Sequence, residues 1–476
     1  MSVTNSNADY DSETRQLIQD LVDAEDRALT ERRKKEEADL EECECRDGMF
    51  PNGKTSVIAN RRQFLAAAAS GAAALAVGKT AYAEVPAGSM DYPIQKDSTK
   101  VQGRLTNDDG GYGSRSQFES EARWRYPTKT KESSWTMTPL ESGEGILTPS
   151  GLHFERHHGG IPNINPATHS LVVHGMVDKA LKYTMEDLKR FPSVSKFHFI
   201  ECSGNGLTEW REPTLKTVQG THGLTSTTEW TGVPLSTILR EVGVKDGAGW
   251  ILAEGADAAV MTRSVPIDKA WDDAMLVYAQ NGEAIRPEQG YPLRLLLPGF
   301  EGNTHIKWLR RLEISDKPFM TREETSKYTD LLDGGKARQF SFDMEAKSVI
   351  TYPSGEMKLP NPGFYEISGI AWTGRGKIKR VEVSVDGGEN WQLAELQSPV
   401  LSKCHTRFKF PWRWDGKPTI LQSRCQDETG YVQPTIKQLV EERGLDGGKF
   451  GSIYHLNGIQ SWAVAADGGV SNVHKY

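Results

Sequence analysis

From about residue 345 the chain becomes a series of short β-type runs separated by turns. This pattern restricts the fold more than any other feature. The spacing predicts strands over 365–372, 377–385, 391–396, 407–412 and 419–427. Val381, Val383 and Val385 alternate with Glu382 and Ser384, and Asp386-Gly387 follows as a hairpin turn. Strands so short and so regularly spaced fit a β-sandwich of immunoglobulin type. The preceding stretch, 140–344, mixes predicted strands (170–175, 196–202) with short helices (184–191, 234–242). It lacks regular βαβ alternation, so the fold class is α+β with a sandwich appended.

The division expected is therefore 1–83 as an N-terminal extension and leader and 84–139 as a linker or wrapping arm. A catalytic domain over 140–344, a sandwich over 345–440 and a polar tail over 441–476 follow. Arg61-Arg62-Gln63-Phe64-Leu65-Ala66 opens a charge-free apolar stretch over 64–77, and Ala81-Tyr82-Ala83 follows as a small-x-small cleavage pattern. Basic pair, apolar run and cleavage site in this order resemble a twin-arginine export signal, which places the working protein in the periplasm. Met49 is an alternative start to Met1. The formal charge is −7, of which residues 1–83 carry −4. A nearly neutral body does not suit nucleic acid, and no apolar run is long enough to span a membrane.

Three stretches carry candidate chemistry. In Phe197-His198-Phe199-Ile200-Glu201-Cys202-Ser203-Gly204-Asn205-Gly206, a strand ends in a cysteine and opens onto a glycine turn. A thiolate there suits a soft metal or a nucleophile, although a lone cysteine is as often a small buried hydrophobe. In His153-Phe154-Glu155-Arg156-His157-His158, the i, i+4 spacing of His153 and His157 would suit zinc on a helix, with His158 beside them. The Gly159-Gly160 run that follows favours a loop, where Arg156 and imidazoles suit an anion or simply a solvated turn. Finally, Arg294 lies inside the apolar run Tyr291-Pro292-Leu293-Arg294-Leu295-Leu296-Leu297, upstream of His305-Ile306-Lys307-Trp308. A buried guanidinium needs an anion, either an internal carboxylate or a ligand phosphate. No Cys-x-x-Cys-His, Walker A, dinucleotide fingerprint or Gly-x-Ser-x-Gly elbow is present, so electrons from a redox reaction would pass to a separate carrier.

Taken in order, these stretches resemble the sulfite oxidase family of molybdenum enzymes over roughly 140–440. Further matches are Ser384-Val385-Asp386-Gly387-Gly388 and Gly430-Tyr431-Val432-Gln433-Pro434. Thr221-His222-Gly223 and Glu229-Trp230-Thr231-Gly232-Val233-Pro234 are closer to the branch that forms the molybdenum subunit of bacterial sulfane dehydrogenases in thiosulfate oxidation. The resemblance implies a mixed α/β molybdopterin-binding domain followed by a dimerisation sandwich. It implies Cys202 as the protein ligand to molybdenum. Arg156 would face the oxyanion substrate, with Tyr328 as active-site tyrosine. His158, Arg294, His305 and Lys307 would hold the molybdopterin.

The implied reaction is oxygen-atom transfer to sulfur. Its partners are a c-type cytochrome acceptor and a sulfur-carrier protein, in a homodimer or a heterotetramer with the cytochrome subunit. Sulfite oxidases carry an arginine pair where this chain has Gly206-Leu207, which favours sulfane sulfur on a carrier over free sulfite. A Cys404–Cys425 disulfide is a further structural expectation. The rival from another class is a zinc hydrolase built on His153, His157 and His158.

Overall fold

The computed structural model describes residues 112–210, 213–331, 335–443 and 455–474. The leader, Cys43 and Cys45 lie outside the described residues. So does the part of the arm before Tyr112.

Two five-stranded sheets form the catalytic half. In one, Val194–Glu201 lies at the edge beside Thr225–Pro234, which pairs with Met275–Gln280. The last strand pairs in turn with Glu283–Ala284 and Arg294–Leu296. The other runs Leu181–Thr184, Ser170–Gly175, Leu309–Ser315, Trp250–Gly255, Thr262–Pro266, and only the pair Ser170–Gly175 and Leu309–Ser315 is parallel. A single parallel contact is what the lack of βαβ repetition implied. Both expected helices are present. Met185–Arg190 starts at a reciprocal cap between Thr184 and Asp187. Leu235–Val242 buries Leu235, Ile238, Leu239 and Val242, one helical stripe, and stops at left-handed Gly243.

The sandwich forms as expected. One sheet holds Lys347–Tyr352, Gly363–Trp372, Thr406–Trp414 and Glu395–Leu396; the other holds Gln392–Leu393, Ile378–Ser384 and Thr419–Asp427. The run expected as one strand over 391–396 is split, because the chain changes sheets at buried Ala394. The tail is not an appendage. Ser461–Val464 and Val470–Val473 extend the second sheet, so the sandwich continues beyond residue 440. The arm is also structural within the described residues: Ser134–Met137 is the central strand between Trp124–Arg125 and Glu155–His157.

Two expectations fail here. His153 and His157 are not on a helix. A short 3-10 turn, Ser150–Leu152, ends at His153 in extended backbone, and Glu155–His157 is a strand. Helical i, i+4 convergence is therefore lost, and among the described residues no group of three His, Cys, Asp or Glu side chains is placed to hold a metal ion. The zinc reading is overturned on geometry. Cys404 and Cys425 are free thiols. Cys404 donates to the Phe197 carbonyl at 2.8 Å, whereas Cys425 sits in the strand Thr419–Asp427 against Gln433. Each is fixed in a different neighbourhood, so no bridge forms.

The cysteine strand lies between two cores. Phe199 packs with Ile367, Phe408 and Trp372 of the sandwich, and Ile200 packs with Trp230 and Met275 of the catalytic half. The two-residue period of a strand produces this division. The free edge is closed by the sandwich, where the Phe199 amide donates to the Lys403 carbonyl at 2.9 Å.

Candidate active site

Cys202 stands one residue past the strand Val194–Glu201. Its amide donates to Leu224 O, and its carbonyl accepts from the Asn205 amide, both at 2.9 Å. The turn closes at Gly206, whose φ of +90° suits glycine. The thiol faces a cavity of about 660 Å³ of empty space, part of it open to solvent. Burial raises its pKa, while a backbone hydrogen bond at Gly204 and the charge of Arg156 act in the opposite sense.

Arg156, His158, Arg294, His305, Lys307 and Tyr328 all line the same cavity. The structure thus brings these six together with Cys202, whereas His153 does not line the cavity. Arg156 is the middle residue of Glu155–His157, opposite Trp135 in register. Its guanidinium donates to the backbone carbonyls of Ser134 and His157 at 3.3 and 2.5 Å. Its other terminal nitrogen lies 3.1 Å from His158 Nδ1. Arginine cannot accept, so Nδ1 accepts and the neutral ring carries its proton on Nε2. Nε2 lies 3.3 Å from the Tyr328 hydroxyl and donates to it. Burial, then Arg156, lowers the His158 pKa to about 4. Burial also raises that of Tyr328 well above the usual phenol range.

Arg294 and Lys307 are buried cations. Arg294 donates to the carbonyl and side-chain oxygens of Gln289, each at 3.1 Å, and its charge lies 5.3 Å from the Trp230 ring centroid. Burial lowers its pKa to about 9, with no carboxylate to oppose the effect. Lys307 donates to the carbonyls of Arg156 and Glu288 at 3.0 and 2.9 Å. Burial, then Arg294, lowers its pKa to about 7. Among the described residues, no carboxylate partners Arg294. Gly290 explains part of the motif: at φ +111°, a Cβ would lie 3.0 Å from Lys307 Cα, so these two backbones meet only at glycine.

Two further wall residues carry no role in the implied set: His157, named in the sequence only within the zinc and anion readings, and Asn303, which sequence reasoning missed. His157 faces the cavity, and its Nδ1 is buried without a partner; burial and Lys307 lower its pKa to about 4. Asn303 also lines it and donates to Ser203, next to Cys202, at 3.1 Å. No local motif marks Asn303, whose place depends on the fold. His305 lines the cavity, but both its nitrogens serve backbone: Nδ1 accepts from Leu297 N at 3.3 Å and Nε2 donates to Phe300 O at 3.1 Å. It shapes the wall without a spare donor.

Among the described residues, the thiol, the buried cations Arg294 and Lys307 with no carboxylate in direct ion-pair contact (Glu155 and Asp257 act on Lys307 only from farther off), and Arg294 Nε and His157 Nδ1 without hydrogen-bond partners suit a polyanion with a soft metal. The comparisons agree. The family model "Oxidoreductase molybdopterin binding domain" matches residues 158–323, and "Mo-co oxidoreductase dimerisation domain" matches 338–447. The crystal structure of the sulfane dehydrogenase SoxCD from Paracoccus pantotrophus is 46% identical, with a TM-score of 0.76, over 79% of this chain and 98% of that one. The chain belongs to the sulfite oxidase family. It is also 30% identical to mitochondrial sulfite oxidase of Mus musculus over 63% of its length and 60% of that protein's. It is 32% identical to nitrate reductase [NADH] 1 of Arabidopsis thaliana over 57% of its length. It spans 33% of that reductase. As in the family, the cofactor is the molybdenum–molybdopterin group, and the donor set of this cavity fits it.

Proposed function

We propose that the chain is the molybdenum subunit of a periplasmic sulfane dehydrogenase. It would oxidise sulfane sulfur borne on a carrier protein's cysteine and pass electrons to a c-type cytochrome subunit. The observation that carries this reading is the combination of Cys202 with a cationic cavity opening into a wide vestibule. Arg156, His158 and Tyr328 line both spaces. Small residues Gly159, Ala258 and Ala259 line the vestibule, with Arg322 and Lys327 at its rim. That mouth suits an anionic sulfur group on a peptide arm. The leader expected at 61–83 supports export, and the likeness to SoxCD supports a cytochrome partner.

When bound, the cofactor supplies two-electron oxygen-atom transfer to sulfur. Cys202 would ligate the metal. Arg294 and Lys307, with His157 Nδ1, would hold the anionic pterin phosphate and ring. Arg156 would stabilise negative charge developing on the sulfur's oxygen atoms, as a fixed cation within a poorly solvated wall. His158 is held neutral, so it orients Tyr328 without adding charge. The Tyr328 hydroxyl, accepting from His158, directs its own proton elsewhere in the cavity.

A second reading, oxidation of free sulfite, is favoured by the same Arg156. Rates measured with a sulfane-loaded carrier protein (a cysteine persulfide) and with sulfite, each with a c-type cytochrome as acceptor, separate the two. Faster turnover of the loaded carrier is expected; turnover of sulfite alone would overturn the sulfane reading.

A further inference from the structure

We infer that Lys347, a residue of the C-terminal sandwich, is a positioning residue for the cysteine turn, acting through Glu201. The inference rests on the reading of Cys202 as the metal's protein ligand.

Glu201 immediately precedes Cys202, and strand alternation turns the two side chains to opposite faces. Cys202 faces the cavity. Glu201 faces the sandwich and is fully buried, as is Lys347. The Glu201 carboxylate accepts from Lys347 Nζ at 3.1 Å, Asn205 Nδ2 at 2.9 Å and Trp372 Nε1 at 2.6 Å. Lys347 also donates to the Asn205 carbonyl at 2.8 Å. Asn205 Oδ1 accepts from the Leu224 amide at 3.0 Å, and the Leu224 carbonyl accepts from the Cys202 amide at 2.9 Å. Both ends of the turn are therefore tied to one ammonium that belongs to the other half of the molecule.

Gly206 admits that ammonium to the turn, because a Cβ there would lie 3.3 Å from Lys347 Nζ. The His222 ring faces the same spot, its Nε2 3.8 Å from that Cβ position. Burial and Lys347 hold it well below its ordinary pKa, so it adds no second cation. A buried ion pair is weak support for stability, since matched apolar residues often do as well. Its directional bonds instead fix an angle, and sub-ångström placement is what a metal ligand needs. The rival explanation is that the pair only docks the two halves.

The test compares wild type, Lys347→Met and the double variant Glu201→Gln/Lys347→Met. Each is purified as cofactor-loaded protein and measured for molybdenum per chain, Tm and the Mo(V) electron paramagnetic resonance spectrum. Removing both charges relieves the burial penalty, so the double variant keeps a near wild-type Tm even where the single variant fails to fold. We expect its spectrum to change and its kcat/KM to fall at least about tenfold. Loss of molybdenum at unchanged Tm equally supports the positioning role. A wild-type spectrum and rate in the double variant overturn the inference, and so does its unfolding, which would assign the pair to docking. Wild type lacking molybdenum would instead refute the reading of Cys202.

Discussion

Lys307 donates its ammonium to the backbone carbonyl of Arg156 at 3.0 Å, joining two cations 151 residues apart in one cavity wall. Among the described residues no carboxylate pairs directly with either charge, although Asp257 lines the cavity and, with Glu155, acts on Lys307 from farther off; Arg294 adds a third cation to the lining. Such a wall is unfavourable when empty and favourable when a polyanion fills it.

Arg294→Met should therefore separate folding from loading. The cofactor-free protein is expected to gain about 1 kcal/mol, because an unanswered buried charge is removed. Molybdenum retained after purification should fall. Urea titration of cofactor-free protein and metal analysis of loaded protein check both halves. A destabilised cofactor-free variant would show that Arg294 is a structural cation.

The same charges set a pH profile. Lys307 titrates near 7 when folded and near its ordinary value, about 10.4, when unfolded. Between those values the unfolded chain binds more protons, so stability of the cofactor-free protein rises with pH. His153, with a pKa of about 3, and His157 and His158, each about 4, are lowered from an ordinary value of about 6.5. They add a loss of stability as pH falls from 6.5 toward 4. Urea midpoints across pH 4–10 should slope upward in both windows. Loading should flatten the upper one, because an anion beside Lys307 restores its proton. A flat profile in cofactor-free protein would contradict this.

Tyr328→Phe removes only the hydroxyl that His158 Nε2 meets at 3.3 Å. We expect kcat/KM to drop about 10- to 100-fold, on the scale of a positioned proton donor, with molybdenum content unchanged. Steady-state kinetics beside metal analysis decide it. Full activity would reduce Tyr328 to a wall residue.

Gly302→Ala tests the support of the cysteine from the opposite side. Its Cβ would lie 2.6 Å from the Glu201 carbonyl oxygen and 3.2 Å from Cys202 Cα. Backbone must then move at the ligand, and kcat should fall while Tm drops by a few degrees. Unchanged kcat would show that the turn tolerates displacement.

Much of this was legible in the sequence. Val381, Val383 and Val385 declared the sandwich, and Thr184 with Asp187 declared a helix start, because both signals are local. Cys202 and Arg294 stood out as residue types that clash with their surroundings. The rest depends on contacts far apart in sequence. Nothing near Lys347 marks it as the partner of Glu201, 146 residues away. Likewise, Ser461–Val464 lies in a polar, glycine-rich tail that hides an edge strand of the sandwich. The histidine spacing at 153 and 157 misled, since i, i+4 converges on one face only in a helix and this backbone is extended.

The most direct test is elemental analysis of the full chain purified after expression in a host that makes the cofactor. We expect about one molybdenum per chain and no stoichiometric zinc, in line with a soft-metal site at Cys202. Stoichiometric zinc, or protein folded and active on sulfur without molybdenum, would contradict it.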